Sequence, residues 1–160
     1  MALIQSDFAK GIRVVPTAEG SELIHVRMPI TLAAALATND VLEFGPLPAD
    51  HIPVDWALEN DDVDTGITLT GTLGVLNAGK TAIDSAAANG GNWLNASAAL
   101  QAAAFTRLSA QTVTVQTAIA RMSAIASNRS LGLFVPAGGA GGVGGIVALH
   151  VWYRAGRFGN

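Results

Sequence analysis

Two stretches of the chain have spacings that elsewhere hold phosphates. Residues 74–81 read GVLNAGKT and fit G-x-x-x-x-G-K-T, and residues 139–144 read GAGGVG and fit G-x-G-x-x-G. The first chemistry needs a buried strand before the glycines and a helix after the lysine, so that backbone N–H groups and the helix dipole cradle the anion. The run before Gly74 instead alternates, with Thr68, Thr70 and Thr72 between apolar residues, whereas central parallel strands read as continuous apolar runs. After Thr81 the segment AIDSAAANGG has room for only a short helix, and no later apolar run ends in an aspartate that would hold magnesium. GVLNAGKT therefore reads as a strand end with a hairpin turn at Asn77 to Lys80. GAGGVG is followed by GIVALHVWYR, which alternates as a strand and leaves too few residues for a βαβ unit, so it reads as a flexible hairpin loop.

Other chemistry-bearing residues fare no better. In ENDDVDTG the oxygens of Glu59, Asp61, Asp62 and Asp64 invite calcium, but a helix-loop-helix site starting at Asn60 would put Thr65 where glycine is needed and Gly71 where the bidentate glutamate belongs. The run reads as a solvated turn between strands. His25, His51 and His150 have no local metal spacing, there is no G-x-S-x-G elbow to present a nucleophilic serine, and there is no cysteine. The acids Asp50 and Asp55 lie close in sequence without a motif around them. Arg154, Arg157 and Phe158 after Trp152 and Tyr153 form a small basic-aromatic end that reads as solvated rather than as a nucleic-acid site. The expectation is a chain that is not an enzyme, with no cofactor, no metal, no nucleic acid and no membrane. The start MALIQSDFAKGIRVV shows no secretory pattern, which leaves the sequons at Asn95 and Asn128 without meaning.

The elements that must position any site are mostly strands. In ELIHVRMPITL the residues Ile24, Val26, Met28, Ile30 and Leu32 share one parity, while His25, Arg27, Pro29 and Thr31 share the other. The same rule predicts inward sets of Ile52, Val54, Trp56 and Leu58, and of Ile67, Leu69, Leu73 and Val75. Shorter alternating runs cover Val41 to Phe44, Val113 to Ile119, Leu131 to Val135 and Ile146 to Tyr153. Turn-rich punctuation separates them. In NASAALQAAAFTRL, Asn95 can cap a helix from Ala96 to Thr106, and another helical turn fits Ala118 to Ala126. The pattern implies an all-β, antiparallel β-sandwich, jelly-roll-like, with one or two short helical insertions.

Length suits one domain, with residues 1–20 an N-terminal arm or first edge strand and residues 21–160 a single sandwich. Met1 to Thr17 combine the apolar anchors Leu3, Ile4, Phe8 and Ile12 with Lys10 and Arg13, a mixture that can dock in a groove of a neighbouring subunit. The competing reading is an ordinary first strand. Only 13% of residues are charged, so surface must be covered by uncharged groups, which favours burial against other chains. Charge is also polarised: twelve acids against four cations leave residues 1–84 at −8, and five arginines without an acid leave residues 85–160 at +5. That polarity either docks neighbouring copies or is neutralised when the halves fold together.

The order of these parts resembles a known family. ATNDVLEFGPLPADHIPVDWALENDDVDTG followed by LTGTLGVLNAG, and then SNRSLGLFVPAGGAGGVGGIVALHVWYRA, resemble the decoration or cement proteins encoded beside the major capsid protein in tailed bacteriophages. The shared features are the turn LPADHIPVD leading into an acidic turn, the glycine-led LGVLN, and a terminal strand with an aromatic pair and arginine. The resemblance implies a sandwich module, assembled in the host cytoplasm, that binds the outer surface of the virion shell. There it would bridge major capsid subunits and associate with itself as a dimer or trimer. It brings no catalytic residues, and the Ala-rich segment and the glycine loop depart from it. The other reading is a carbohydrate-binding sandwich of a receptor-binding or fibre module, with exposed Trp93 and Trp152 as stacking platforms.

Overall fold

The computed structural model describes residues 1–64, 66–139 and 144–156. Its elements are β1 (Leu3–Gln5), β2 (Ile24–Leu32), β3 (Val41–Leu47), β4 (His51–Asn60), β5 (Thr70–Val75), β6 (Asn92–Ser97), β7 (Ala104–Arg107), α1 (Val113–Ala120), β8 (Arg129–Ala137) and β9 (Gly145–Ala155). They form a five-stranded sheet in the order β1-β3-β8-β5-β6 and a four-stranded sheet in the order β2-β9-β4-β7. Antiparallel pairing is nested: β2 meets β9, β3 meets β8, β4 meets β7 and β5 meets β6. A long hairpin rolled up so that its successive pairs fall alternately in two facing sheets is the jelly roll. The addition is β1, which pairs parallel with β3, Leu3 opposite Val41.

The core lies between the sheets. Met28, Leu58, Leu149 and Val151 from one sheet meet Phe44, Leu73, Leu131 and Leu133 from the other, all without solvent exposure, while residues at the margin such as Val75 and Leu94 keep a few per cent. In β2 the alternation holds throughout, with Val26, Met28, Ile30 and Leu32 buried and His25, Arg27 and Thr31 exposed. Alternation fails where a strand bulges. Val54 has no partner in β9, because Pro53 pairs with Tyr153 and Asp55 with Trp152. The parity of β4 therefore flips: His51 and Pro53 are buried before the bulge, Trp56 and Leu58 after it, and Val54 is exposed. Ile67 also lies outside the core at 87% exposure, since β5 begins only at Thr70, and Thr72, expected outside, is buried with its hydroxyl accepting the Ala96 N–H.

Two segments take the other secondary structure. Val113 to Ile119, read as a strand, is the helix α1, with the Thr112 side chain accepting the Val115 N–H at its start. Two valines two residues apart are too short a pattern to outweigh a cap, and of the helix only Ile119 is buried. Ala96 to Thr106, read as a helix, contains the end of β6, a 3₁₀ turn at Ala98–Gln101 capped by Ser97, and β7. Helical propensity loses there to strand pairing, Phe105 opposite Glu59 and Arg107 opposite Ala57.

A second bulge displaces Phe44 in β3, between the pairs Glu43–Gly132 and Gly45–Leu131. Gly45 holds φ at +155°, and a Cβ there would lie 2.9 Å from Phe8 Cβ and 3.1 Å from Met28 Sδ. Gly45→Ala is expected to cost about 1–3 kcal/mol, since neither neighbour can yield without moving backbone or core. Urea titration would measure it, and an unchanged midpoint would contradict the packing.

Candidate functional site

The GVLNAGKT stretch ends β5 and turns. Lys80 N–H donates to Asn77 C=O (2.9 Å), the Asn77 side chain accepts the Thr81 N–H (2.9 Å), and Leu76 bridges Ile83. A strand end and a turn, with Lys80 at φ +53°, replace the helix that a phosphate site requires. Lys80 Nζ instead lies 2.7 Å from Glu43 Oε1. Glu43 is buried, and although burial alone would raise its pKa, hydrogen bonds from Lys80, Ser130 (2.6 Å) and Gln5 (2.7 Å) hold it below the usual carboxylate range. The motif's lysine is a counter-ion that helps fasten β1 through Gln5.

The acidic run is likewise structural. Asp64 is fully buried and accepts N–H groups from Gly66 and Leu69, and Asp61 accepts that of Ile146. Among the described residues no group of three His, Cys, Asp or Glu side chains is placed to hold a metal ion, and no helix is long and apolar enough to cross a membrane. Residues 140–143 of the glycine-rich stretch, with Thr65, Arg157 and Phe158, lie outside the described residues.

Chemistry concentrates on the outer face of the four-stranded sheet. His25 and Arg27 from β2, His150 and Trp152 from β9, Asp55 and Glu59 from β4, and Phe105 and Arg107 from β7 all project there. Arg27 grips Glu59 side-on, donating from Nε and Nη2 to its two carboxylate oxygens (2.7 and 2.9 Å), and His150 Nε2 lies 2.7 Å from Glu59 Oε2. The bidentate arginine and then the histidine hold the Glu59 pKa down to about 2. An ionised carboxylate only accepts, so His150 donates from Nε2, and its Nδ1 lies within hydrogen-bond distance of His25 Nε2, 3.0 Å away. His25 stacks on Trp152 (4.4 Å between centroids, 18° between planes) and Arg107 lies over the same indole at 5.3 Å. Arg107 also binds Asp55, and Phe105 meets His150 edge-on at 5.4 Å. Ala57 and Ala148, outward in parity, are fully covered by these longer side chains.

The network is therefore a pre-ordered plate in which each formal charge is already matched. It forms no nucleophile-base pair: the chain of hydrogen bonds runs from Arg27 through Glu59 and His150 to His25 and ends on an indole. Its pH response has a definite sign. Burial, and then the nearby His150, push the His25 pKa below its usual 6.5, so as pH falls below 6.5 the unfolded chain takes up that proton first and stability drops. Glu59 adds a second loss between its ordinary 4.5 and about 2. His25→Phe, which keeps a ring against Trp152, is expected to flatten the fall in Tm between pH 7 and 5, and parallel curves for parent and variant would refute this.

The arm residues are split. β1 is zipped to β3, Ile4 packs on the core, and Phe8 is buried at 7% exposure. Ser6 fastens the turn after β1, accepting N–H groups from Phe8 and Ala9 and donating to the Phe44 carbonyl. Leu3, Lys10, Ile12 and Arg13 are exposed, with Arg13 4.8 Å above the Phe8 ring. Farther along, Tyr153 donates to the Pro16 carbonyl (2.6 Å) and His51 Nε2 accepts the Ala18 N–H (2.8 Å), which tie residues 16–18 across the sandwich. The run Ile12 to Val15 is not a strand.

Two other sequence readings change. Trp93 is fully buried with Nε1 donating to Asn89 C=O, and both faces of Trp152 are occupied, so neither offers a stacking platform for sugar. Tyr153 points into the core while Trp152 points out, which separates the basic-aromatic end into two environments. Of the polarised charge, Asp55 with Arg107 is the one Asp/Glu–Lys/Arg pair joining the two halves among the described residues. The plate itself was missed, though its signal is present in the sequence as the solvent parity of β2 and β9.

No protein-family model and no curated protein matches the chain. Two solved structures do. A chain of the capsid of Ralstonia phage GP4 is 35% identical, with a TM-score of 0.77 over 98% of this chain and 100% of that one. A chain of the cyanophage Pam1 capsid asymmetric unit is 22% identical, with a TM-score of 0.57 over 88% of this chain and 91% of that one, and shares the fold.

Proposed function

The chain belongs to a family of phage capsid proteins, and from that premise of a structural role in the virion we propose that it decorates the outer surface of the shell and cements neighbouring major capsid subunits. The observation that carries this reading is the plate on the four-stranded sheet, rich in the Trp, Arg, Phe and His side chains that anchor protein interfaces. Its charges are matched internally, so contact with a shell leaves few of them unpaired, and its side chains are already ordered, which lowers the entropic cost of binding. A cement must also reach a second neighbour. The exposed arm residues Leu3, Lys10, Ile12 and Arg13, fixed to the same rigid body by Phe8 and β1, supply that second surface. Self-association as a dimer or trimer adds avidity, which raises retention by roughly 10²-fold or more without new contacts on the shell. The reading assigns the protein no catalytic step. Co-sedimentation with purified shells lacking this protein tests attachment, and the temperature at which such shells release their genome, with and without it, tests cementing. Light scattering reports the oligomer. Failure to sediment with shells at micromolar concentration would defeat the proposal.

A further inference from the structure

We infer that the free edge of β2, in the groove between that strand and the N-terminal arm, receives an extended, acid-bearing peptide segment of a neighbouring capsid subunit as an added strand. This rests on the cementing reading and gives it a partner chemistry.

The backbone shows which groups are free. Asp61 N–H donates to Ile146 C=O (2.9 Å), so Ile146 and the β9 residues of its parity turn their backbone groups toward β4. The other parity, Val147, Leu149, Val151 and Tyr153, then serves β2, where those residues stand opposite Ile30, Met28, Val26 and Ile24. It follows that His25, Arg27, Pro29 and Thr31 direct their backbone groups away from the sheet. Pro29 fits this assignment, because a residue without an N–H costs a ladder nothing on its open side. β2 pairs only with β9, and no other backbone partner reaches it among the described residues. A nine-residue strand open on one side is a template for pairing that proteins ordinarily shield.

Here the edge is bordered rather than sealed. Along Pro29 to Thr31 a groove of about 510 Å³ separates β2 from β1 and Lys10, and along His25 to Arg27 another of about 530 Å³ separates it from Phe8, Arg13 and Val14. Both open on the same strand edge. Lys10 and Arg13 stand on the arm side, and neither has an acidic partner among the described residues, while Asp7 is the one acid lining either groove, so cations outnumber it there. An added strand would take N–H groups from His25, Arg27 and Thr31 and offer its own to the carbonyls of those residues and Pro29. Its side chains of one parity would meet the arm, where apolar Leu3 and Val14 lie with the cations Lys10 and Arg13, which select carboxylates.

Thr31→Pro removes an outward N–H while sparing the ladder to β9, and Thr31→Val keeps it. Both should melt within a few degrees of the parent. On shells lacking this protein, Thr31→Val should bind as the parent does and Thr31→Pro at least tenfold more weakly. Lys10→Glu with Arg13→Glu should also bind at least tenfold more weakly, with a shallower salt dependence. Hydrogen exchange provides a readout free of substitutions: the amides of His25, Arg27 and Thr31, fast in the free protein, should slow on shell binding. If the parent binds shells while those amides stay fast, or if Thr31→Pro is folded and binds normally, the edge inference falls and cementing stands. If the parent does not bind shells, both fall.

Discussion

A chain lacking residues 1–10 is expected to melt about 10 °C or more below the full chain. The deletion removes Phe8 from the core, and truncating a buried phenylalanine alone costs about 3–5 kcal/mol. It also removes the β1–β3 ladder, the Ser6 hydrogen bonds and the Gln5 bond to buried Glu43, which would leave β3 as a bare edge. At roughly 2–4 °C per kcal/mol for a chain of this size, the phenylalanine accounts for the stated shift. Differential scanning calorimetry would decide it. A truncated protein melting within 2 °C of its parent would mean that the segment contributes nothing to folding and serves a partner alone. Because stability and attachment are entangled in the deletion, the arm's role on the shell is better tested at Ile12, whose side chain is 69% exposed. Ile12→Asp is the appropriate change, since it leaves β1 and Phe8 in place.

The second large effect is expected at Trp152. Trp152→Ala takes the centre out of the stack from His25 to Arg107, leaving two polar side chains around an empty slot while Arg107 still holds Asp55. The residue lies on the outer face, so the cost to folding should be about 1 kcal/mol, mainly the lost ring contacts. Attachment to shells should fall about a hundredfold, because a buried aromatic anchor at the centre of an interface is worth 2 kcal/mol or more. Arg107→Lys sharpens the test: it keeps a charge for Asp55 but loses the flat contact with the indole, and should weaken attachment less. Isotherms from sedimentation would give both ratios. Undiminished binding by folded Trp152→Ala would remove the plate from the interface.

Much of the architecture was legible where side chains alternate without interruption. β2 could be read residue by residue, because His25, Arg27 and Thr31 face water while Val26, Met28, Ile30 and Leu32 do not. Legibility ended at backbone irregularities. The bulge at Val54 reverses parity within β4, and nothing in HIPVDWALE marks it, since both Val54 and Pro53 suit an inward place. Ala96 to Thr106 shows the same limit: its alanines favour helix, and only the distant pairing with β4 makes its last residues a strand. The plate was hidden for a further reason. His25, Glu59, Phe105 and His150 are scattered through the chain, and what brings them together is strand order, which local patterns do not encode. The false phosphate motif was resolvable because its requirement was local: a buried strand had to precede it and a helix follow, and the sequence has an alternating run before it and room for only a short helix after it.

The nested pairing has a kinetic consequence. β5 and β6 are the innermost partners and close a short loop, whereas β2 and β9 are the outermost and enclose all the strands between them. Loop-closure entropy grows with the enclosed length, so distant pairs gain most from forming after inner ones have shortened the path between them. Pulse-labelled hydrogen exchange should find amides of β5 and β6 protected before those joining β2 to β9. Since the plate and the open edge both need the β2–β9 pair, they would exist only once β9 has been made and paired. A chain still lacking β9 would carry neither surface.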